Sequence, residues 1–331
     1  MPIVNAKEKT NDAVGLISKF QSGEITPIQT NHEWLDEVLL GGLLPSTILT
    51  VGGLSNHGKT HFLQKIENNI LDSQKDVVLL RCNWESTVYK LLLRKIKERT
   101  GVKITDLLYN EPKGELLQQI KESCAQERRD GLYYLEEPSS PKEFYNEVSA
   151  LLEAHKDKKV LVSIDHVGLV KGREKESIDG LFEQMNLLKK EHDFVCFIPL
   201  IQMHREKLLA RSGNILQQAP MQTDFYGSDQ LFQLSDAVVA VFMPSKIGIQ
   251  EKYMCFTKNK YEYIDPKLIK SGGNKWNHFK PEGNIFYHAV KTRDVDGGME
   301  DFKDVWVEQM FEVEEPLVDD SVPFDEDILN T

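Results

Sequence analysis

The chain has 331 residues, of which 40% are hydrophobic and 28% charged, and it carries a net charge of −12 at pH 7. That length suits one large α/β domain with appendages or two modest domains, and the acidic balance argues against binding nucleic acid through bulk charge. No apolar run reaches the roughly 18 residues needed to cross a bilayer, and the start "MPIVNAKEKTNDAVGLISKF" lacks the apolar core of a secretory signal. A cytoplasmic protein with no membrane contact is expected.

Residues 1–30 read as a helix over "TNDAVGLISKFQSG", stopped at Gly23, and then an extended linker. Val14, Ile17 and Phe20 give the helix one apolar face. From Asn31 onwards apolar runs alternate with helical patterns. The runs are 47–53, 76–84, 131–137, 159–167, 193–202 and 236–243, and the helical patterns lie at 58–73, 86–101, 140–155 and 179–192. The runs are almost wholly apolar, as in strands covered on both faces, and the alternation predicts a mainly parallel sheet. "EKYMCFTK" and "NIFYHAVKTR" read as antiparallel additions. The four cysteines Cys82, Cys124, Cys196 and Cys255 form no C-x-x-C pair, so neither a zinc site nor a disulfide framework is expected. Residues 311–331 hold eight acids and no base, which leaves the body near balance and a local basic track open. Three parts result: the helix and linker (1–30), a main α/β domain (31–310) and an acidic tail expected to be disordered (311–331).

The stretch Gly53-Leu-Ser-Asn-His-Gly58-Lys59-Thr60 fits the phosphate-loop pattern G-x-x-x-x-G-K-[ST], between an apolar run and a helical pattern. Backbone N–H groups there face phosphates and the helix dipole adds to the attraction. Gly53, Ser55, Asn56, His57, Gly58, Lys59, Thr60 and His61 are therefore assigned to ATP. Lys59 would reach the terminal phosphates and the Thr60 hydroxyl would ligate Mg2+. His57, at a variable position of the loop, reads as a permissive filler.

A nucleotide hydrolase needs a second acid at the metal, a water activator and a sensor of the γ-phosphate. Asp165 ends "KVLVSID" and suits the metal. Glu85 follows "VVLLRCNW" and suits either the attacking water or the first turn of the next helix. Gln202 ends "VCFIPLIQ" and suits the sensor. Lys291 and Arg293 alternate in "HAVKTRDVDGG", either as a pair of catalytic cations or as a solvated strand face.

Together these residues resemble the motor domain of the DnaB-type replicative helicases, a RecA-like hexameric family, over about residues 30–310. "TNHEWLDEVLLGGLLPSTILTVGG", with Leu35 and Asp36, is similar to its lead-in. "GLSNHGKTHF" is similar to its phosphate loop, "LLRCNWES" to the strand bearing its catalytic glutamate, and "LVSIDHVGLVKG" to its Asp-bearing strand. "PLIQMHRE" and "HAVKTRDVDGG" resemble its sensor and Lys-x-Arg segments. The resemblance implies a RecA-like core with added antiparallel strands, working as a homo-hexamer with ATP between subunits. It makes Lys59, Glu85 and Gln202 catalytic, with Lys291 and Arg293 acting across the subunit boundary. It implies loops at about 168–180 and 205–232 that hold single-stranded DNA, offering Lys171, Arg173, Lys175, Arg205, Lys207, Arg211 and the backbone of Gly227 and Ser228.

Where that family has Arg-Glu-Ser-Gly, this chain has Tyr226-Gly227-Ser228, and the family's N-terminal helical domain is not expected here. The helix of residues 1–30 is expected to pack on a neighbouring subunit. Segment 258–283, with Tyr261, Tyr263, Trp276 and Phe279 among lysines, reads as a surface hairpin with its own apolar cluster, or as a contact surface. The acidic tail is either a solubilising end or a recruiter of a replication partner such as a primase, polymerase, loader or single-strand-binding protein. The leading function is an ATP-dependent DNA helicase acting in replication. A RecA-like recombinase, a regulatory ATPase or a non-motor nucleotide-dependent replication protein would share the same nucleotide residues.

Overall fold

Runs of Val, Leu and Ile with no polar alternation can only be satisfied by cover on both faces, and the sheet is built from them. Its strands are β1 (Leu49–Gly53), β2 (Val77–Asn83), β3 (Leu132–Leu135), β4 (Lys159–Asp165), β5 (Val195–Gln202) and β6 (Ala237–Phe242), with β9 (Asn284–Thr292) and β10 (Val305–Gln309). The order across the sheet is β10-β9-β6-β1-β5-β4-β2-β3. The first six are parallel to one another, while β9 runs antiparallel to β6 and β10 antiparallel to β9. The computed structural model describes residues 5–172, 175–192, 194–213, 218–226, 229–249, 253–256, 276–279, 281–292 and 305–309.

Successive residues of a strand face opposite sides, so each strand feeds two cores. Leu161 joins Phe62, Ile66 and Ile70 of α3 (Lys59–Ser73) together with Trp34 and Leu35 of α2 (Glu33–Val38). Its neighbours Val160 and Val162 join Phe144 and Val148 of α7 (Pro141–Ala154) and Phe182 and Met185 of α8 (Lys175–Glu191). A capping box starts α7: Ser140 Oγ accepts from the Glu143 N–H, and the Glu143 carboxylate accepts from the Ser140 N–H. The lead-in is stapled by Asp36, whose Oδ1 accepts from both the N–H and the hydroxyl of Thr30 at 2.8 Å.

Between β2 and β3 lie α4 (Val88–Thr100), α5 (Ile104–Tyr109) and α6 (Gly114–Glu127). The last two have no counterpart in the sequence reading. Their apolar residues are sparse, and none of α5 is buried, so no strong 3.6-residue stripe marks them. A buried charge network ties this layer to the sheet. Arg81 of β2 donates from Nε to Glu67 of α3 (2.8 Å), and from one terminal nitrogen to Glu127 of α6 (2.9 Å) and Tyr134 of β3 (3.0 Å). Lys95 of α4 donates to the other Glu127 oxygen, and Ser163 of β4 to Glu67, each at 2.5 Å. Burial alone would push Glu127 up, but Arg81 and Lys95 beside it hold its carboxyl at about 2.

Several elements differ from expectation. β3 is an edge strand bonded only to β2, so its residues are half-exposed rather than covered on both faces. β7 (Tyr253–Phe256) does not join the main sheet. It pairs antiparallel with β8 (Trp276–Phe279) in a two-stranded ribbon, which agrees with a hairpin at the end of segment 258–283. β10 also has no counterpart in the sequence reading; it completes the edge beyond β9. The N-terminal helix α1 (Ala6–Gln21) starts earlier than its pattern, at the Asn5 cap, and Gly23 beyond its end has φ +74°. Val14 and Ile17 on its apolar face are 58% and 56% exposed, so that face is not covered by the chain's own core. Residues 257–275, Arg293 and the tail 311–331 lie outside the described residues. Among the described residues no helix is long and apolar enough to cross a membrane.

Candidate active site

At the carboxyl ends of parallel strands side chains and helix N-termini converge, and in this sheet that edge carries the phosphate loop. β1 ends at Gly53 and α3 begins at Lys59. Gly58 has φ +91°, and a Cβ on Gly53 would lie 2.5 Å from the Val241 carbonyl oxygen, so neither position accepts a side chain without strain. Beside the loop lies a cavity of about 460 Å³ lined by Ser55, Asn56, Gly58, Lys59, Thr60, His61, Glu85, Asp165 and Gln202. Nearly all the residues assigned to the nucleotide from sequence therefore meet in one place.

Local hydrogen bonds fix them. The Thr60 hydroxyl donates to Asp165 Oδ2 at 2.8 Å. The Asp165 carbonyl accepts from the N–H groups of Trp84 and Glu85 (3.0 and 3.1 Å), which holds Glu85 next to the Asp-bearing strand. The Lys59 amine donates to the carbonyls of Gly53 and Leu54 at 3.0 and 2.9 Å. Burial raises the Asp165 carboxyl to about 6, opposed by the Thr60 hydrogen bond and reinforced by the Glu85 charge. Burial also lowers the Lys59 amine, against the pull of Asp165 and Glu85. A buried carboxylate beside a hydroxyl is an all-oxygen set suited to Mg2+, which takes one or two protein oxygens and fills the rest of its shell with water and phosphate. The described residues hold no cluster of three or more His, Cys, Asp or Glu for a dedicated metal cage, and Mg2+ needs none.

A model of the DnaB-like helicase C-terminal domain matches residues 27–267. The chain belongs to that family. Among solved structures it is similar to one described as an ATPase domain, with a TM-score of 0.64 and 16% identity, covering 90% of this chain and 93% of that one. It is also similar to a structure of a DnaB-like replicative helicase and its interactions with primase, with a TM-score of 0.61 and 16% identity, covering 88% of this chain and 64% of that one. At that identity the likeness speaks for the fold, which is the RecA-like α/β core of the family. No match is found among curated proteins.

Within this family fold, six further residues line the cavity: Asn83, Ser86, Leu91, Arg94, His166 and Lys246. Asn83 and His166 adjoin Glu85 and Asp165 and betray themselves only as polar residues closing apolar runs. Arg94 comes from α4, and Lys246 follows β6, far from any motif. The Lys246 amine donates to the Asn56 carbonyl. His57, read as a filler, has a structural task instead. Its side chain is buried, its Nδ1 accepts from the Met243 N–H at 3.0 Å, and its ring stacks on Phe242. The phosphate loop is thus laced to the end of β6 by His57 and Lys246, and His57 offers a nucleotide only its backbone.

His57 also makes a pH prediction. Burial, with repulsion from Lys246, Lys59 and Arg205, lowers it from 6.5 to about 4. As pH falls the unfolded chain takes up the proton first. Stability from the neutral ring is complete above pH 6.5 and is lost as pH falls through 4, at up to about 1.4 kcal/mol per pH unit. His57→Asn keeps an acceptor near the Nδ1 position and does not titrate. Its urea stability should therefore fall less steeply over that window by about that slope, while His32 and His288, lowered to about 4 and about 3, keep the variant acid-sensitive. Equal slopes for variant and wild type would show that His57 is not held neutral.

The residues assigned to DNA and to the neighbouring site divide differently. Lys171 is exposed and bridges to Glu143 at 3.2 Å, and Lys175 opens α8 at the surface. Arg205 starts α9 (Arg205–Ser212) and lines a second cavity, which shares Ser55, Asn56, Gln202 and Lys246 with the first. Two cations expected to face DNA are bonded within the loop. Lys207 donates to the Thr223 carbonyl (2.7 Å), and Arg211 to the fully buried Asp224 (2.5 Å), whose same oxygen accepts from the Met221 N–H. The Lys291 amine donates to the carbonyls of Phe232 and Ser235 at the end of α10 (Asp229–Leu234) and does not line the cavity of its own chain. Arg173, Gly227, Ser228 and Arg293 lie outside the described residues.

Segment 218–226 is anchored to the nucleotide side. The Gln202 carbonyl accepts from the Tyr226 N–H (2.9 Å), and the Asp224 carbonyl from the His204 N–H (2.6 Å). The Phe225 ring fills the space that Gly52 leaves open: a Cβ there would lie 2.1 Å from the ring.

Proposed function

We propose that this chain is the motor unit of an ATP-driven helicase that translocates on single-stranded DNA during replication, as a ring of six subunits with ATP at the boundaries. The observation that carries the reading is the convergence of Lys59, Thr60, Glu85, Asp165 and Gln202 on one cavity whose sensor residue is hydrogen-bonded through its own backbone to the following loop.

The loop N–H groups of residues 55–61 and the Lys59 amine would bind the phosphates. Thr60 and Asp165 would hold Mg2+, which supplies positive charge on the phosphate oxygens as negative charge shifts to the leaving group. Glu85 would accept a proton from the attacking water. Gln202 would detect the γ-phosphate with its amide, and its carbonyl bond to Tyr226 would pass the change to the loop of about 205–232. Lys291 and Arg293 would act on the ATP of the neighbouring subunit, which requires the Lys291 amine to leave its helix-end carbonyls. The exposed Val14 and Ile17 of α1 suit packing on that neighbour. Phosphate contacts would come from Lys171, Arg173, Lys175 and Arg205 and from the Gly227–Ser228 backbone, while Lys207 and Arg211 keep that loop in shape. The acidic tail would recruit a replication partner.

A forked duplex with Mg-ATP tests the reading. The folded, oligomeric protein should unwind the fork, and single-stranded DNA should raise its rate of ATP hydrolysis. Absence of both would sink the motor assignment, and strand exchange without unwinding would favour a recombinase.

A further inference from the structure

We propose that Asn83 is a catalytic residue of this site: its amide N–H₂ group donates a hydrogen bond to the attacking water from which Glu85 takes a proton. The proposal deepens the ATP-hydrolysis reading above and rests on it.

Asn83 is the last residue of β2, all seven of whose residues are buried. It is 9% exposed and lines the cavity that holds the phosphate loop, Glu85 and Asp165. Its register partner on β4 is Asp165. Strand alternation fixes its direction. Arg81 and Ser163, each two residues earlier on its strand, both bond Glu67 of α3, so Asn83 and Asp165 lie on the face of the sheet that carries α3 and Thr60. There the Asn83 Nδ2 is buried with no hydrogen-bond partner among the described residues. A buried amide that gives up water without a replacement bears its full desolvation cost. In native proteins such an orphan calls for an explanation, and a catalytic role is one of the recurrent ones.

The chemistry around it selects the ligand. Of the side chains that share its cavity, Glu85 and Asp165 are carboxylates, which only accept, while a water about to attack needs one group to take its proton and another to fix its oxygen. Glu85 meets the first need. An amide N–H meets the second without competing for the proton. In the step, a lone pair of the water oxygen forms the bond to the γ-phosphorus. The bond from that phosphorus to the β–γ bridging oxygen breaks and its electron pair leaves with ADP. The water proton passes to the Glu85 carboxylate, which later returns it to solvent. Asn83 gains and loses nothing; it aims the oxygen.

The test uses the full chain with Mg-ATP and saturating single-stranded DNA, measuring kcat for hydrolysis and, separately, affinity for a fluorescent ATP analogue. Asn83→Ala and the similarly shaped Asn83→Leu should each lose roughly 2- to 10-fold in kcat, the worth of one hydrogen bond between neutral groups, with nucleotide affinity unchanged. Asn83→Ser keeps a donor and should recover part of the loss. If Asn83→Ala fails to fold, the Leu and Ser variants decide: Ser no faster than Leu overturns the role. So does wild-type kcat in Asn83→Leu, or a loss of kcat matched by a loss of nucleotide affinity. A wild-type chain that hydrolyses no ATP would remove the underlying reading and this role together, whereas an active wild type with an equally active Leu variant removes this role alone.

Discussion

Glu85→Gln should hydrolyse ATP about 10²- to 10⁴-fold more slowly than the wild-type chain while binding it equally well, the range spanned by loss of a positioned general base. The residue stands just past β2, and its N–H is bonded to the Asp165 carbonyl, so the substitution exchanges one carboxylate oxygen for an amide nitrogen without moving the backbone. Single-turnover hydrolysis alongside equilibrium nucleotide binding separates the two effects. A variant as fast as wild type would show that Glu85 does not activate the water; the first-turn alternative is already removed, since Glu85 precedes the Thr87 cap of α4, whose first turn holds no acid. Equal and negligible turnover in both would favour the non-motor interaction protein.

Arg81→Met should destabilise the fold by about 3–5 kcal/mol, the cost of removing one partner of a buried ion pair and leaving the others charged and dry. The Arg81 side chain is 3% exposed, and its loss would leave Glu67, also 3% exposed, with the neutral Ser163 hydroxyl in place of an ion partner, and Glu127 with Lys95 and the Tyr134 hydroxyl. A urea midpoint measured at fixed protein concentration reads the effect. Adding Glu67→Gln should restore part of the loss, because the stranded charge then disappears. A shift within about 1 kcal/mol, the ordinary worth of an exposed pair, would mean that water reaches the network. The same variant separates stability from catalysis, since Arg81 does not line the nucleotide cavity.

Most of the nucleotide half of the site was legible because its residues close apolar runs. A polar side chain ending a buried parallel strand lies at the ligand edge of the sheet, and Asp165 and Gln202 are read that way, with Glu85 just beyond β2. Lys246 and Arg94 carry no such mark. They reach the cavity from a turn after β6 and from a helix face, and only the packing of distant segments brings them there. The task of His57 was hidden for the same reason, since its partner Met243 is 186 positions away. The partners of Arg211 and Lys207 were not legible, because a cation in a polar loop looks free until the chain folds back to present Asp224 and Thr223. The sheet's centre was plain from its Val, Leu and Ile runs. Of its edges, β3 was read from its run although it is half-exposed, whereas β10 was not, and α5 and α6 are too polar to leave a stripe.

The contact between Gly52 and Phe225 constrains how sequences of this fold can vary. Residue 52 lies just before the phosphate loop and residue 225 at the root of the next loop, yet the ring occupies the volume that any side chain at 52 would need. The two positions therefore share a single allotment of space. A chain with alanine at 52 must carry something smaller than phenylalanine at 225, or must shift the loop root away from the strand. Transplanting the loop between relatives should succeed only when both positions travel together.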